Sequence, residues 1–338
     1  MSGRERLLGL GLVVLSACGF GSGALFAKPI YAAGVDWLTL LSWRFLFAAV
    51  LSWGWLLLWP AQRRALRRLS RRRVLVLVLL GLFYLGNSGT YFAGLETVDA
   101  SLAALIVYLY PALVAVMSIR FARRLEGRRA WAALALATAG VALAVGGIEP
   151  GAAPPLEGLL HVMASPLIYA VWIILAARLS GERSADGGGR PAVAPPHDSE
   201  TTTRPELTEP APAAAIMLSA TAAGWWLSAL ALGRPMAPAS IPAEAWLPLL
   251  GIGLLATAIA VQAFYAGARR IGAAQASLVS TIEPVYTIVL ATLLLGEVLG
   301  PIQVLGGILV ITGVVIAQLG EVGRDEAGFV SHSRRVPG

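Results

Sequence analysis

Ten long apolar segments divide the chain, and they limit what it can fold into more than any other feature. Each is close to the roughly 20 residues that an α-helix needs to cross the ~30 Å hydrocarbon core of a bilayer. No water reaches that core, so the backbone groups of each segment must pair within the segment, which requires helices. The predicted spans are residues 7–29, 37–59, 74–95, 99–119, 130–148, 157–177, 212–232, 246–267, 272–295 and 301–320.

Composition supports the same fold class and excludes several functions. Hydrophobic residues make up 57% of the 338 residues and charged residues only 13%, whereas soluble domains carry about 25% charged residues. We therefore predict an all-α integral membrane protein with ten transmembrane helices. The chain has one cysteine and three widely separated histidines, and it lacks a phosphate-binding GxxxxGK[ST] loop and an HExxH motif. We expect neither an enzyme nor a bound cofactor or metal.

The basic residues predict how the spans are oriented. With the N-terminus inside, 23 of the 26 Lys and Arg residues fall on the inner side and only Arg234 falls on the outer side. Cytoplasmic loops carry such an excess, so we predict a multi-pass protein of the cytoplasmic membrane with both termini in the cytoplasm. Binding of anionic lipid or nucleic acid is the alternative explanation of the basic runs, but we expect no nucleic-acid partner.

The second half of the chain repeats the first. A shift of 173 residues places residues 91–111 over 264–284 without a gap, and 6 of the 21 positions are identical, Gly94/Gly267 and Pro111/Pro284 among them. Five spans per unit is an odd number, so the second unit begins on the opposite side of the membrane. The sequence thus predicts two inverted five-helix repeats, an arrangement that is common in secondary transporters.

The repeat also sets the predicted domain boundaries. Residues 180–211 are rich in Gly, Pro, Ser and Thr and have too few apolar residues to fold, so we predict a disordered cytoplasmic linker inside the second repeat. The predicted units are the first repeat at 7–148, the first helix of the second repeat at 149–179, the linker, the rest of the second repeat at 212–320, and a cytoplasmic tail at 321–338.

Three motifs give the chain its resemblance to a known family. They are "AGLETVDASLAALIVYLYP" in the first half, "AGARRIGAAQASLVSTIEPVYTIVLATLLLGE" in the second, and "LLSWRFLFAAVL" in the second span. With the doubled five-helix unit, they resemble the EamA family of the drug/metabolite transporter superfamily. Glu297 matches the acidic residue that the family carries after the ninth span, whereas Glu126 in the first half lies two positions out of register.

Two prolines and one carboxylate stand where a membrane helix tolerates them least. Pro111 and Pro284 lie near the middle of the fourth and ninth spans, and each removes a backbone N–H. Interrupted helices at matching places indicate a transporter's binding site, although a shared packing kink is the alternative. Glu283 lies about 16 Å into its span, where a charge costs about 3 kcal/mol or more. It must face the protein interior, as a site for substrate or a coupling proton or as a structural partner.

Arg44 is the expected partner of Glu283. Arginine keeps its proton, so within the second span it must pair with Glu283, with backbone oxygens or with a substrate carboxylate. Polar and aromatic residues of other spans complete the predicted substrate pathway, although each aromatic residue taken singly is also explained by packing. These candidates are Asn87, Tyr84, Tyr108, Tyr110, Tyr169, Trp172, Gln262, Tyr265 and Tyr286.

The resemblance implies a secondary active transporter that works by alternating access. Its expected substrate is a small organic metabolite, an amino acid or a related compound, moved outward across the cytoplasmic membrane. The lipid bilayer and protons are the other expected partners. A passive channel or facilitator is the alternative that the repeat also permits, and a membrane-embedded enzyme is a third hypothesis, for which the sequence shows no catalytic cluster.

Overall fold

The computed structural model describes residues 3–121, 127–147, 153–179 and 210–316, and the regular elements in this part of the chain are helical. Two π-helical turns, Leu254–Ile259 and Ala291–Leu295, interrupt the helices of the second half. The helices are α1 (Gly3–Ala32), α2 (Trp37–Leu58), α3 (Pro60–Arg67), α4 (Arg71–Leu95), α5 (Ala100–Val107), α6 (Tyr110–Phe121), α7 (Gly127–Gly146), α8 (Leu156–Leu179), α9 (Pro210–Ala231), α10 (Ala243–Gly253), α11 (Ala260–Ile271), α12 (Ala273–Ser280), α13 (Ile282–Leu290) and α14 (Pro301–Ile316).

Eight helical segments in the described residues are long and apolar enough to cross a membrane. The apolar parts of α7 and α14, Trp131–Gly146 and Pro301–Ile316, are shorter. They occupy the predicted fifth and tenth spans, whose last residues lie outside the described part, so the count of ten stays a prediction. The predicted linker and tail lie outside it too, except that residues 210 and 211 begin α9 instead of ending the linker.

The bundle has an apolar perimeter and two chemically different ends. Large apolar side chains such as Leu58 and Leu247 point outward, with 75% and 80% of their surface exposed, as a helix facing lipid requires. We call the end that holds Arg4, Arg269 and Arg270 the basic end, because Gly9 of α1 packs on Arg270. The other end, with Asp36, Glu96, Asp99 and Glu297, is the acidic end.

Helix contacts in the first repeat recur in the second with the partners exchanged. Helix α4 packs on α8, and α11 packs on α1. A Cβ added at Gly94 of α4 would lie 2.6 Å from the Gly158 carbonyl of α8, and one at Gly267 of α11 would lie 2.9 Å from the Gly9 carbonyl of α1. Gly94 and Gly267 are the pair that the 173-residue shift matches, so the two contacts are equivalent.

The last helix of each repeat shows the same exchange. A Cβ at Gly140 of α7 would lie 2.5 Å from the Gly306 carbonyl of α14, and one at Gly313 would lie 2.7 Å from the Ala133 carbonyl. The 173-residue shift carries each contact onto the other. Helix α8 also starts beside Thr97, at the acidic end, whereas α1 starts at the basic end. The two units are therefore related by an inversion, as the odd number of spans predicts.

We predict that the equivalent glycines are equally intolerant of a methyl group. Gly94→Ala and Gly267→Ala should each lower the free energy of unfolding by about 1–3 kcal/mol, because the added carbon meets backbone that cannot retreat. Gly11→Ala in α1 is the matched control, since its Cβ would meet no atom within 4 Å. Thermal unfolding of the detergent-purified variants measures the difference. A Gly94→Ala variant as stable as Gly11→Ala would contradict the close packing.

Candidate functional site

Two helix breaks face each other in the middle of the bundle. Helix α5 ends at Val107 and α6 begins at Tyr110, while α12 ends at Ser280 and α13 begins at Ile282. The 173-residue shift places the end of α5 on the end of α12, and α5 packs on α13. Each break lies just before its proline, because proline offers no N–H to the carbonyl four residues earlier. The backbone is therefore open at equivalent places in both repeats.

Tyr108 fills the opening that Pro284 leaves. Its hydroxyl oxygen lies 2.9 Å from the Ser280 carbonyl oxygen, which is the acceptor that Pro284 cannot serve. The same hydroxyl lies 3.0 Å from Glu283 Oε2. A side chain from the break of the first repeat thus satisfies the backbone and contacts the carboxyl group at the break of the second repeat.

The hydroxyl of Tyr108 faces two acceptors with one hydrogen. If Glu283 is ionised, the phenol donates to either the Ser280 carbonyl or the carboxylate, and the other acceptor has no donor from it. If Glu283 carries a proton, it donates to Tyr108, and Tyr108 donates to Ser280. Both contacts are then hydrogen bonds. The gain or loss of one proton at Glu283 therefore changes the hydrogen bonding of the Ser280 carbonyl at the helix break.

Aromatic rings that contact one another lie near Glu283. Tyr110 and Tyr169 meet at 4.7 Å between ring centroids, Tyr169 stacks on Trp172 at 5.8 Å, and Tyr84 meets Trp172 at 5.4 Å. Helices α4, α6 and α8 carry them. We call Tyr84, Tyr108, Tyr110, Tyr169 and Trp172 the tyrosine cluster.

Each tyrosine of this cluster is close enough to Glu283 to interact with it electrostatically. Apart from Tyr108, the members of the cluster and Glu283 keep part of their surface accessible although they touch one another. Partly accessible rings can contact a bound molecule as well as one another. Their faces suit an apolar or aromatic body, and their hydroxyls suit a few polar groups.

Arg44 does not pair with Glu283, so the prediction of an ion pair between them is wrong. Arg44 Nε donates to Thr257 Oγ1 at 2.9 Å. The guanidinium lies 4.6 Å from the Phe92 ring centroid and 5.2 Å from that of Phe45. Glu283 has Tyr108 as its hydrogen-bond partner instead. The two charges share neighbours, because Tyr84 and Tyr91 interact electrostatically with both.

A one-residue insertion brings Thr257 to Arg44. Gly81 of α4 packs on the Met217 carbonyl of α9, and Gly253 of α10 packs in the same way on the Arg44 carbonyl of α2. The two glycines are therefore equivalent, and they lie 172 residues apart. Further along the same two spans, the equivalent glycines Gly94 and Gly267 lie 173 residues apart. The additional residue is absorbed by the π-helical turn Leu254–Ile259, the usual place for such an insertion. Sequence reasoning missed Thr257, although the change of shift from 172 to 173 signals the bulge.

Asn87 and Tyr286 hydrogen-bond to serine side chains on other helices. Asn87 accepts a hydrogen bond from Ser165 at 2.8 Å, which joins α4 to α8. The hydroxyl of Tyr286 lies 3.0 Å from Ser22 Oγ, which joins α13 to α1. Both explain how these polar groups are satisfied in a dry interior, and neither Ser22 nor Ser165 was foreseen from the sequence.

Two predicted residues lie on α11. Gln262 has a buried Nε2 without a hydrogen-bond acceptor among the described residues. Tyr265 packs on Phe264 with ring centroids 6.1 Å apart and is close enough to Tyr169 to interact electrostatically. Tyr265 therefore borders the tyrosine cluster.

Glu297 joins the two repeats at the acidic end. Its Oε1 accepts from the backbone N–H of Ala100 and its Oε2 from that of Ser101, each at 2.8 Å. These are free donors in the first turn of α5, where a negative charge is also favoured by the helix dipole. Lys28 lies close by, donating to the Val98 carbonyl at 2.7 Å. A residue of the second repeat thus caps a broken helix of the first.

Comparison with known proteins agrees with this architecture. The EamA-like transporter family matches residues 7–146 and 208–318, one segment in each half of the chain. A solved structure described as "Crystal structure of protein" has a TM-score of 0.59 and 20% identity, covering 95% of this chain and 99% of its own; at that identity the likeness concerns the fold alone. No curated protein matches the chain significantly. Since the family match spans most of the chain, this protein belongs to the EamA-like transporter family.

Proposed function

We propose that the protein is a secondary active transporter that exports a small organic metabolite, an amino acid or a related compound, by alternating access. The observation that carries the proposal is the pair of equivalent helix breaks joined by Tyr108, Ser280 and Glu283. Broken helices near the midplane between repeats are where transporters bind their substrates. The tyrosine cluster supplies apolar faces there, and Glu283 supplies a group that can take a proton.

Alternating access would require the two repeats to rock about these breaks. In the present arrangement the acidic end is held by Glu297 on the first turn of α5. Opening that end separates the repeats, so it must break both hydrogen bonds. The 173-residue shift puts Arg124 where the equivalent group of the first repeat would be, with Glu126 two residues on; both lie outside the described residues.

We further propose that the basic end faces the cytoplasm and that the protein lies in the cytoplasmic membrane. The excess of arginine in the loops of that end supports this orientation. The carboxylates of the acidic end then face outward, where Glu297 controls access from outside.

Cysteine labelling tests the orientation. The protein has one native cysteine, Cys18, which Cys18→Ser removes. In that background we expect a membrane-impermeant maleimide to label Arg234→Cys in intact cells and Arg63→Cys only after permeabilisation, since both positions are exposed. The reverse pattern would contradict the orientation.

Substitution of Glu283 tests proton coupling. A thermal-shift screen of amino acids and related metabolites first identifies a substrate. In proteoliposomes, Glu283→Gln should then abolish uptake driven by a proton gradient but retain exchange of labelled for unlabelled substrate at equal pH, because the amide cannot carry the proton. Tyr108→Phe should weaken the coupling, because it removes the hydroxyl between Glu283 and the Ser280 carbonyl.

Tyr286→Phe is the matched control, since its hydroxyl contacts Ser22 and not Glu283. If Glu283→Gln leaves gradient-driven uptake and its pH dependence unchanged, the carboxyl group has only a structural role. Conduction without exchange in the wild-type protein would instead favour a channel, and chemical conversion of the substrate would favour an enzyme.

Substitution of Glu297 tests closure of the acidic end. Hydrogen bonds to charged groups contribute roughly 1.5–3 kcal/mol, so Glu297→Gln should shift the equilibrium towards an open acidic end by about tenfold or more. Ser101 is fully buried beside Glu297. In lipid nanodiscs, Ser101→Cys should therefore react faster with maleimide in the Glu297→Gln background.

Glu96→Gln is the control for this experiment. Glu96 also accepts from a helix N-terminus, through the N–H of Trp37 at 2.6 Å, but both residues belong to the first repeat. It should leave the labelling rate of Ser101→Cys unchanged. Equal rates in the Glu297→Gln and Glu96→Gln backgrounds would argue against closure by Glu297.

A further inference from the structure

Arg44 carries a buried positive charge whose hydrogen-bonding capacity is largely unused. The side chain is 8% exposed, and it lies about 10 Å from the start of α2 along the helix axis. Its Nη1 is buried and has no acceptor within the described residues. The bond from Nε to Thr257 is the one hydrogen bond that the guanidinium makes there.

No carboxylate in the described part of the chain neutralises Arg44. The ionisable side chains that surround it closely are Tyr31, Tyr84 and Tyr91, and Glu283 is bound to Tyr108. Arginine cannot lose its proton, and a buried charge without a partner is strongly destabilising. The position therefore favours an anion that the described part of the chain does not supply.

The surroundings fix the guanidinium in one orientation. Phe92 and Phe45 lie at 4.6 Å and 5.2 Å from its carbon atom, distances at which aromatic rings attract a cation. Thr257 gives its own hydrogen to the Ile252 carbonyl at 2.8 Å and so receives Arg44 Nε. The Nη edge is left free, and that edge is the part of arginine that matches a carboxylate.

This arrangement occurs in only one of the two repeats. The 173-residue shift places Met217 at the position equivalent to Arg44. Thr257 stands in the π-helical turn of the second repeat, which absorbs the residue that the first repeat lacks. A ligand that binds in one orientation needs the charge only once.

We propose that Arg44 binds the carboxylate of the transported metabolite, which makes the substrate class small carboxylates with an apolar or aromatic body, amino acids included. The inference rests on the proposed transport function. Tyr84 and Tyr91 extend the site from Arg44 towards Glu283, since both interact with the two charges. Phe45 and Phe92 are buried beside the guanidinium and make the surroundings of the bound carboxylate apolar.

Binding to purified protein tests the carboxylate directly. The probes are two pairs that differ in the carboxylate, leucine with isoamylamine and 3-phenylpropionate with 3-phenylpropanol, and the measurement is calorimetric titration in uncharged nanodiscs. We expect at least one carboxylate to bind and its partner to bind at least about tenfold more weakly, from the loss of charged hydrogen bonds. Arg44→Gln should remove the preference, and Arg234→Gln, at an exposed position, should keep it.

A stability measurement guards against misfolding of the variants. Arg44→Met removes a buried unpaired charge and keeps much of the volume, so without ligand it should melt no lower than the wild type. It should also lose the rise in melting temperature that the bound carboxylate gives to the wild type. Thr257→Val keeps the charge but removes the acceptor of Nε, and it should weaken carboxylate binding while still preferring the carboxylate of each pair.

Three results would overturn the inference. One is a wild-type protein that binds the amine or alcohol as tightly as the carboxylate. Another is chloride or phosphate that competes fully for the Arg44-dependent site, which would make it a general anion site. The last is a protein that is stabilised through Arg44 only in phosphatidylglycerol nanodiscs, which would mean that Arg44 binds a lipid headgroup. Carboxylate binding without flux in proteoliposomes would refute the transport function and leave the site intact, so the two failures are distinguishable.

Discussion

The Ser280 carbonyl lacks a hydrogen-bond donor from its own helix, and the centre of the structure follows from how it finds another. Within a membrane every backbone group has to be satisfied by the protein itself. Pro284 takes away the donor from its own helix, and the hydroxyl of Tyr108 in the other repeat replaces it at 2.9 Å. The same hydroxyl contacts Glu283. One side chain therefore links the stability of the broken helix, the contact between repeats and the state of a carboxyl group.

Symmetry accounts for the scaffold, and departures from symmetry account for the chemistry. The glycine contacts at Gly94 and Gly267 are equivalent, because close helix crossings need the absence of a side chain in both repeats. The groups proposed to act on substrate and protons are not duplicated. Glu283 corresponds to Tyr110 and Arg44 to Met217 under the 173-residue shift. In the proposed alternating-access mechanism, the two halves would exchange shape while one asymmetric substrate keeps its own set of contacts.

The fold could be predicted because the lengths of the apolar segments, the positions of the prolines and the internal repeat can all be read directly from the sequence. The broken helices before Pro111 and Pro284 and the inverted units follow from local rules, and the EamA-like family match agrees with them. The fifth and tenth spans are the exception, because the apolar parts of α7 and α14 within the described residues are shorter than the other spans.

Partners between helices were harder to predict. Arg44 was expected to meet Glu283 because they are opposite charges at similar depth, but depth does not determine which way a helix faces. The π-helical turn rotates Thr257 to Arg44, and a hydroxyl on a neighbouring helix reaches Asn87. Contacts of this kind depend on helix rotation to within a fraction of a turn, which a single sequence does not specify.

Infrared spectroscopy of the purified protein during a pH titration tests the central contact most directly. A protonated carboxylic acid absorbs separately from a carboxylate, and its band moves when its hydrogen bond is lost. The account predicts a titrating acid band that disappears in Glu283→Gln and shifts in Tyr108→Phe. A spectrum without such a band at any pH, or a band that Tyr108→Phe leaves in place, would contradict it.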